Sequence, residues 1–579
     1  MIRQPRRPRR ALTRREALQA TALSGVALSP LSLALGCDDE PELTQEGAGG
    51  EGGGGVMGGE EGGSAPLYPE SPWGPTPSVD ELSERFAYGV ASGDPLQTRV
   101  ILWTCLTEAT EEQALRWRIS TRPDLGDVVQ EGEVSASPER GFCVKVTVED
   151  LNPGSRYYYG FAIGEERSHI GRTLTLSALD TPLERATSTI AVVSCASLNT
   201  GYFHVYRAVA EDEEVELVLH LGDYIYESNR YAREEVRSYS SEEEAKTLDD
   251  YRARYADHRR DLDLQALHRT HPMIAIWDDH EFANNACPAR GGNEEGEAWE
   301  TRKQAATQAY HEWLPTATER LARHYQHAQL GPLVDLWMLD TRMDDRAPPF
   351  TGDQNPREER FNEDRRLIGA SQEAWLTQGL SDAQAPWKLI AQQVMMAQLQ
   401  LRGSLESERE EAALLNLDQW DGFAAQRARI LEHIQREELT GVVVLTGDIH
   451  TSWASELSMN PSDPSLYHPD ASEVGGPLDR TGLPHGGAIA LECVTPSVSS
   501  IALAGTNESV EGLLSMANPH IKWRNLTARG FLRLQINATE LRAQWWHIAS
   551  SLIPDYQPPE LVAEARATPE TPRWEMLRS

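Results

Sequence analysis

Leu217-Val218-Leu219-His220-Leu221 runs directly into Gly222-Asp223-Tyr224-Ile225-Tyr226-Glu227. An apolar run of strand length that ends in a glycine turn and a group of oxygen donors reads as a buried strand delivering side chains to a site. The pattern recurs. Ile190 to Val193 leads to Ser194-Cys195, Met273 to Trp277 leads to Asp278-Asp279-His280-Glu281, and Val442 to Leu445 leads to Thr446-Gly447-Asp448-Ile449-His450. Ala488 to Leu491 leads to Glu492-Cys493. Helical stretches, Asp249 to Leu267 and Arg302 to Leu314 among them, separate these strands, which predicts a layered α/β domain. Ligands of such sheets sit outside the carboxyl ends of the strands, so the five polar clusters are expected to converge.

Upstream, the period changes. Thr98 to Thr104, Ala114 to Ile119 and Phe142 to Val148 alternate and are rich in β-branched residues, which predicts antiparallel sheet. Leu151-Asn152-Pro153-Gly154 then turns into Arg156-Tyr157-Tyr158-Tyr159-Gly160-Phe161, which resembles the tyrosine corner of fibronectin-type and immunoglobulin-like sandwiches. The expected fold class is therefore α/β, an N-terminal antiparallel β-sandwich over residues 78–182 followed by a layered α/β domain over 183–550.

A chain of 579 residues is long enough for two or three folded units. Its 54 basic and 89 acidic side chains give a net charge of −35, which excludes a protein-wide nucleic-acid-binding face. The charge is unevenly placed, because Met1 to Cys37 holds seven Arg and one acid. Within it, Thr13-Arg14-Arg15-Glu16-Ala17-Leu18 resembles a twin-arginine export signal, and the apolar run Ala20 to Leu35 is too short and Ser-rich to stay in a membrane. Ala34-Leu35-Gly36-Cys37 looks like a lipoprotein cleavage site, with Ala34 where a larger aliphatic residue is more usual. Residues 1–37 are thus read as a signal with a lipid at Cys37, simple cleavage being the alternative. Asp38 to Ala65 contains 11 Gly and 8 acids in 28 residues, and 38–77 is read as a flexible tether. The expected location is periplasmic or cell-surface, with the twin-arginine machinery as a partner and the membrane met only through Cys37.

Carboxylate and phenolate oxygens suit Ca²⁺ or Fe³⁺, and an imidazole with a thiolate suits a transition metal. No Gly-rich phosphate loop and no Gly-x-Ser-x-Gly elbow is present, so nucleotide kinases and serine hydrolases lose their main support. A metal-assisted hydrolase remains. Asp223 and Tyr226, three apart after a strand, are placed to reach one ion. Asp448 and His450, two apart, are expected to share one side of an extended segment.

The motifs together are more specific than any one. Phe86-Ala87-Tyr88-Gly89-Val90-Ala91-Ser92-Gly93-Asp94-Pro95, His220 to Glu227, Trp277 to Glu281 with Asn284-Asn285, Leu339-Asp340-Thr341-Arg342, Asp418-Gln419-Trp420-Asp421-Gly422 and Leu445 to His450 resemble, in order, the PhoD family of alkaline phosphatases and phosphodiesterases. The resemblance runs from about Phe86 to Trp546. It implies a metallophosphatase-like core related to purple acid phosphatases. It implies Fe³⁺ held by Cys195, Asp223, Tyr226 and His450, and Ca²⁺ held by Asp223, Asp279, Asn285 and Asp448, with Zn²⁺ or Mn²⁺ as other occupants. The implied reaction is hydrolysis of phosphate mono- or diesters, for phosphate scavenging. Arg302 is the candidate for gripping phosphate oxygens, and His280 for positioning ligands or protonating the leaving group.

Other readings stand beside these. Trp277 reads as core and Asp278 as a turn or helix cap outside the metal set. Asp418 to Gly422 is either a pocket rim or a structural turn, and the acidic runs Glu211 to Glu216 and Glu242 to Glu244 are solvated faces. Cys105 with Cys143, and Cys287 with Cys493, are the expected disulfides among three connectivities, free buried thiols being the alternative. Residues 551–579 are read as a loose tail or a lid. The competing functions are a phospholipid or teichoic-acid-like phosphodiesterase and a noncatalytic surface lipoprotein.

Overall fold

The computed structural model describes residues 73–74, 76, 83–230, 236–350, 356–401, 413–414, 416–469, 484–502 and 508–579. The expected export signal, Cys37 and nearly all of the expected tether lie outside the described residues.

Two large sheets carry the site. One has ten strands in the order Thr571–Arg578, Glu560–Thr568, Leu541–His547, Gly530–Asn537, Thr187–Val193, Leu217–His220, Met273–Ala275, Val90–Gly93, Val100–Cys105, Cys143–Val148. The other has seven: Gln326–Leu330, Val334–Met338, Trp387–Gln392, Val442–Thr446, Ala490–Val494, Ser452–Leu457, Ile521–Asn525. Central strands are parallel in both sheets. Their near-continuous apolar sequence follows from burial on both faces. Ile190 and Val192 point into the core between the sheets with Leu219, Leu336, Leu389 and Leu445, whereas Ala191 and Val193 point to the helices outside. Helices Leu248–Arg259, Leu262–Thr270 and Gly296–Trp313 cover the ten-stranded sheet, and Ala370–Asp382 and Ala424–Arg436 cover the other. The layered α/β fold class stands as read.

Several expectations need correction. The expected helix Asp249 to Leu267 is two helices, because Asp261 caps a new start by accepting the Leu264 N–H at 2.9 Å. The N-terminal module has the two antiparallel layers expected of it, but one of them is continuous with a sheet of the following domain. Its strands Val90–Gly93, Val100–Cys105 and Cys143–Val148 belong to the ten-stranded sheet, and a separate five-stranded sheet packs across them through Leu115, Ile119, Tyr157 and Phe161. The tyrosine corner is present, with the Asn152 N–H donating to the Tyr157 hydroxyl at 2.9 Å. The module also begins earlier than residue 78, since buried Trp73 packs with Leu125 and Ala162. Residues 560–578 are neither tail nor lid. They form an antiparallel hairpin that extends the ten-stranded sheet, with Trp574 buried and its indole N–H donating to the Ser455 carbonyl. Neither disulfide is formed: Cys105, Cys143, Cys195, Cys287 and Cys493 are free and buried. Cys105 and Cys143 face each other across neighbouring strands, whereas Cys493 pairs in register with Ala454.

Candidate metal centre

The carboxyl ends of Thr187–Val193, Leu217–His220 and Met273–Ala275 meet that of Val442–Thr446 from the other sheet. A parallel bridge between Ser194 and Ser497 stitches the two sheets together beside the site. At these ends the chain turns sharply. Cys195, Asp223, Asn285, Asp448 and His450 all have positive φ, between 53° and 64°. A non-glycine residue in that region costs of order 1–3 kcal/mol, and surrounding bonds must hold it there. Gly222 is required where it stands, because its φ is 99° and a Cβ would lie 2.4 Å from the Asp278 backbone nitrogen.

Glu281 is the clamp. Its buried carboxylate accepts the backbone N–H groups of Asp223 at 3.1 Å, Tyr224 at 2.6 Å and Asp278 at 2.8 Å, tying two strand ends together. Burial raises its carboxyl to about 7 even so. Glu227 performs a similar task, accepting the Asn284 N–H and lying 2.7 Å from His280 Nδ1.

Three groups of donors form a chain: Cys195, Asp223 and His450; Asp223, Asp279 and His280; Asp278, Asp279 and Asp448. Within each group the donor atoms lie within 4.8 Å of one another. Tyr226 joins the first group, its hydroxyl donating to Asp223 Oδ2 at 2.8 Å and lying 3.1 Å from His450 Nε2. His450 Nδ1 donates to the Ile501 carbonyl at 2.8 Å, which leaves the Nε2 lone pair directed at the group.

The second sheet contributes a guanidinium. Arg342, fully buried, pairs with Asp278, with Asp418 at 2.5 Å and with Asp448 at 2.7 Å. Arg346 pairs with the other oxygen of Asp418, and Gln419 donates to Asp448 Oδ2 at 3.1 Å. Buried Asp278 Oδ2 has no hydrogen-bond partner.

The electrostatics describe excess buried negative charge. Burial, assisted by neighbouring carboxylates, pushes Asp223 well above the carboxylate range, and burial raises Asp278 and Asp448 against the pull of Arg342. Burial and Asp223 push both the Cys195 thiol and the Tyr226 phenol upward. Asp279 is the exception: burial opposes its charge, but Arg342 and His280 hold it near 2. His450 falls to about 4 through burial, so it is neutral and able to ligate. Carboxylates, thiol and phenol crowded in this way, with an orphaned carboxylate oxygen, are a donor set that fits cations.

Of the residues named from sequence, Cys195, Asp223, Tyr226, Asp279, His280, Asp448 and His450 come together. Asn285 sits at the rim, its side chain exposed and its backbone N–H donating to Asp279. Arg302 is engaged elsewhere. It lies in the second turn of its helix and does not open it. Its guanidinium, 2% exposed, donates from Nε to the Tyr251 hydroxyl at 2.8 Å and pairs through Nη1 with Glu244 at 2.9 Å, Nη2 having no hydrogen-bond partner, so Glu244 is not merely a solvated residue. Asp278 belongs among the donors and is not a simple cap. Asp448 and His450 do not share a side of an extended segment, since both have left-handed backbone and they serve different donor groups. Glu492 and Cys493 lie within their strand, where Glu492 accepts the Met396 and Ala397 N–H groups away from the centre. Trp277 is core. Trp420 is buried, while Asp418 in the same loop faces Arg342. Arg342 and Glu281 went without a role in the sequence reading, although both stand inside quoted motifs.

Residues 190–545 match the family model described as PhoD-like phosphatase, and 74–177 match the PhoD-like phosphatase N-terminal domain. Alkaline phosphatase D of Bacillus subtilis is 34% identical over 482 residues, covering 79% of this chain and 77% of that protein. The solved structure of PhoD superposes with a TM-score of 0.76 at 31% identity, over 86% of this chain and 93% of that one. A more distant likeness is to a purple acid phosphatase from yellow lupin seeds, with a TM-score of 0.48 at 11% identity over 82% of this chain and 73% of that one. With both modules matched and the donor chain assembled where their strands end, the chain belongs to the PhoD-like phosphatase family.

Proposed function

We propose that this phosphatase hydrolyses phosphate mono- and diesters outside the cytoplasm, to release phosphate for uptake. In this reading Cys195, Asp223, Tyr226 and His450 hold a transition metal, with Fe³⁺ best matched to thiolate and phenolate. Asp223, Asp279 and Asp448, with Asn285 at the rim, hold calcium, and Asp278 joins them. Bound cations would stabilise charge on phosphoryl oxygens and make water acidic enough to attack at mild pH. The observation that carries the reading is the unbroken chain of buried donors ending in the partnerless oxygen of Asp278.

The chain's own groups divide the remaining work. Arg342 spends its donors on Asp278, Asp418 and Asp448, so it orients carboxylates and does not grip substrate. Burial opposes charge on His280, but Glu227, Asp279 and Asp223 outweigh it and raise the imidazole well above its ordinary value. With Glu227 at Nδ1, the proton at Nε2 is the one available to a leaving alkoxide. The test is metal content of protein exported with its own signal and purified without chelator, joined to turnover of an aryl monoester, an aryl diester and a phospholipid. About one transition metal with calcium, and hydrolysis of either aryl ester, is the expected result. Folded protein that binds no metal and turns over nothing would overturn the proposal.

A further inference from the structure

A cavity of about 810 Å³ opens beside Trp277, lined by residues of the strand Cys143–Val148 and the helix Gly296–Trp313, and none of the candidate metal donors lines it. Its lining is built for a negatively charged guest. Of its four acids, Glu139 is exposed at the rim and three are held by the protein: Glu312 is clamped by Arg252 at 2.7 and 2.8 Å. Asp340 accepts the Arg342 and Met343 N–H groups, and Asp344 accepts from Gly369 and Gln372. Three of its four cations carry no ion pair, although burial lowers the Lys145 amine to about 7. Among the described residues, Lys145 within the cavity and Arg140 and Arg323 at its mouth have no ion-pair partner, in a chain of net charge −35.

The two histidines point the same way. Lys145 Nζ donates to the Thr316 carbonyl at 2.9 Å and to Thr316 Oγ1 at 3.0 Å. Thr316 Oγ1 lies 3.1 Å from His311 Nδ1. His311, 7% exposed, lines the cavity, and its Nε2 has no hydrogen-bond partner. His324, 6% exposed, has no partner on either ring nitrogen, so in any tautomer one buried N–H lacks an acceptor. Burial keeps both imidazoles neutral, His311 at about 2. An imidazole N–H of His324 without an acceptor, a lysine without an ion pair and two arginines at the mouth, all on one cavity, suit a small ligand with acceptor oxygens.

We propose that this cavity is a second anion site, taking a phosphate-type oxyanion as free phosphate or as the phosphate group of a small organic molecule. It needs neither the metals nor the reading of the catalytic centre. The test is equilibrium dialysis of metal-loaded protein with labelled inorganic phosphate and, in a parallel arm, labelled methylphosphonate as a stable stand-in for an ester-borne group. Wild type and Asp223→Ala should both keep a site that Lys145→Met combined with Arg323→Gln weakens about tenfold or more, while the double variant turns over aryl phosphate as wild type does. Arg323→Gln alone, at an exposed position, should give a smaller loss without any risk to folding. Filling by phosphate identifies the free anion, and filling by the phosphonate alone identifies the ester-borne group. A site lost in Asp223→Ala but kept in the lysine–arginine variant, or no site outside the metal centre in either arm, would overturn the proposal and leave the cavity to water.

Discussion

The donors around Cys195 and those around Asp448 share one chain of carboxylates, yet they are held in opposite ways. Cys195, Asp223, Tyr226 and His450 are braced by neutral hydrogen bonds, from Ser500 to the Tyr226 hydroxyl at 2.8 Å and from His450 to a backbone carbonyl. Asp278, Asp279 and Asp448 are braced by charge, through Arg342 and its neighbours Asp418 and Arg346. The first arrangement fixes ligand identity and tautomer, which a metal that discriminates among N, O and S donors requires. The second keeps several carboxylates together, which a hard cation requires and bare carboxylates resist.

Asp223 links the first group to Asp279 of the second and serves both metals in the proposed reading, so removing it should have the largest effect. Asp223→Ala is expected to abolish ester turnover and to lower the content of both metals together, measured by plasma mass spectrometry on folded protein. Retention of either metal at full stoichiometry would separate the groups altogether. Next come the selective variants. Cys195→Ser should deplete the transition metal and spare calcium, and Asp448→Asn should do the reverse. Parallel depletion of both metals in both variants would show that the contrast between the groups is only apparent.

The first group was legible in the sequence for a physical reason. Each donor follows an apolar strand directly, so periodicity locates it, and the left-handed turns at Cys195, Asp223, Asp448 and His450 are short enough to keep the donor beside its strand. The bracing of the second group was not legible. Arg342 and Asp418 are 64 and 140 residues from Asp278, in loops of a different sheet or layer, and nothing in local spacing says which guanidinium meets which carboxylate. Arg302 looked suitable because a helix followed the Asn285 loop, but Glu244, 58 residues upstream, claims it. The C-terminal hairpin was missed for a similar reason: Pro-rich, acidic sequence read as tail, and the sheet edge that orders it is invisible locally. The extra strands of the ten-stranded sheet from the N-terminal module follow the same rule, since long-range pairing is not written in period.

The charge bracing can be tested through stability. Arg342→Gln leaves Asp278 buried without a counter-charge, and removing one member of a buried ion pair costs about 3–5 kcal/mol. Urea unfolding should register that loss, with turnover down about 10- to 100-fold through misplaced carboxylates. Ser500→Ala, which removes one neutral bond to Tyr226, should cost about 1 kcal/mol. If the two variants cost the same, the bracing does not differ in kind.

The smallest effect lies in the scaffold beneath the first group and shows on mild acidification. His220 and His271, both almost fully buried, are lowered by burial to about 3 and 4. An unfolded histidine titrates near 6.5, so below that pH the unfolded chain binds protons that the folded chain refuses. The sign is then fixed: stability is full above about pH 6.5 and falls as pH drops toward the folded values, by about 1 kcal/mol per histidine for each unit. The helix Ala424–Arg436 over the seven-stranded sheet is instead tied down by a buried acid–base pair, Asp421 with Arg427 at 2.8 Å. Hydrogen exchange on metal-loaded protein from neutral to mildly acidic pH should therefore show the helices Leu248–Arg259 and Leu262–Thr270 losing protection before Ala424–Arg436. The reverse order would mean that the charged bracing, and not the buried imidazoles, sets the weak side of the molecule.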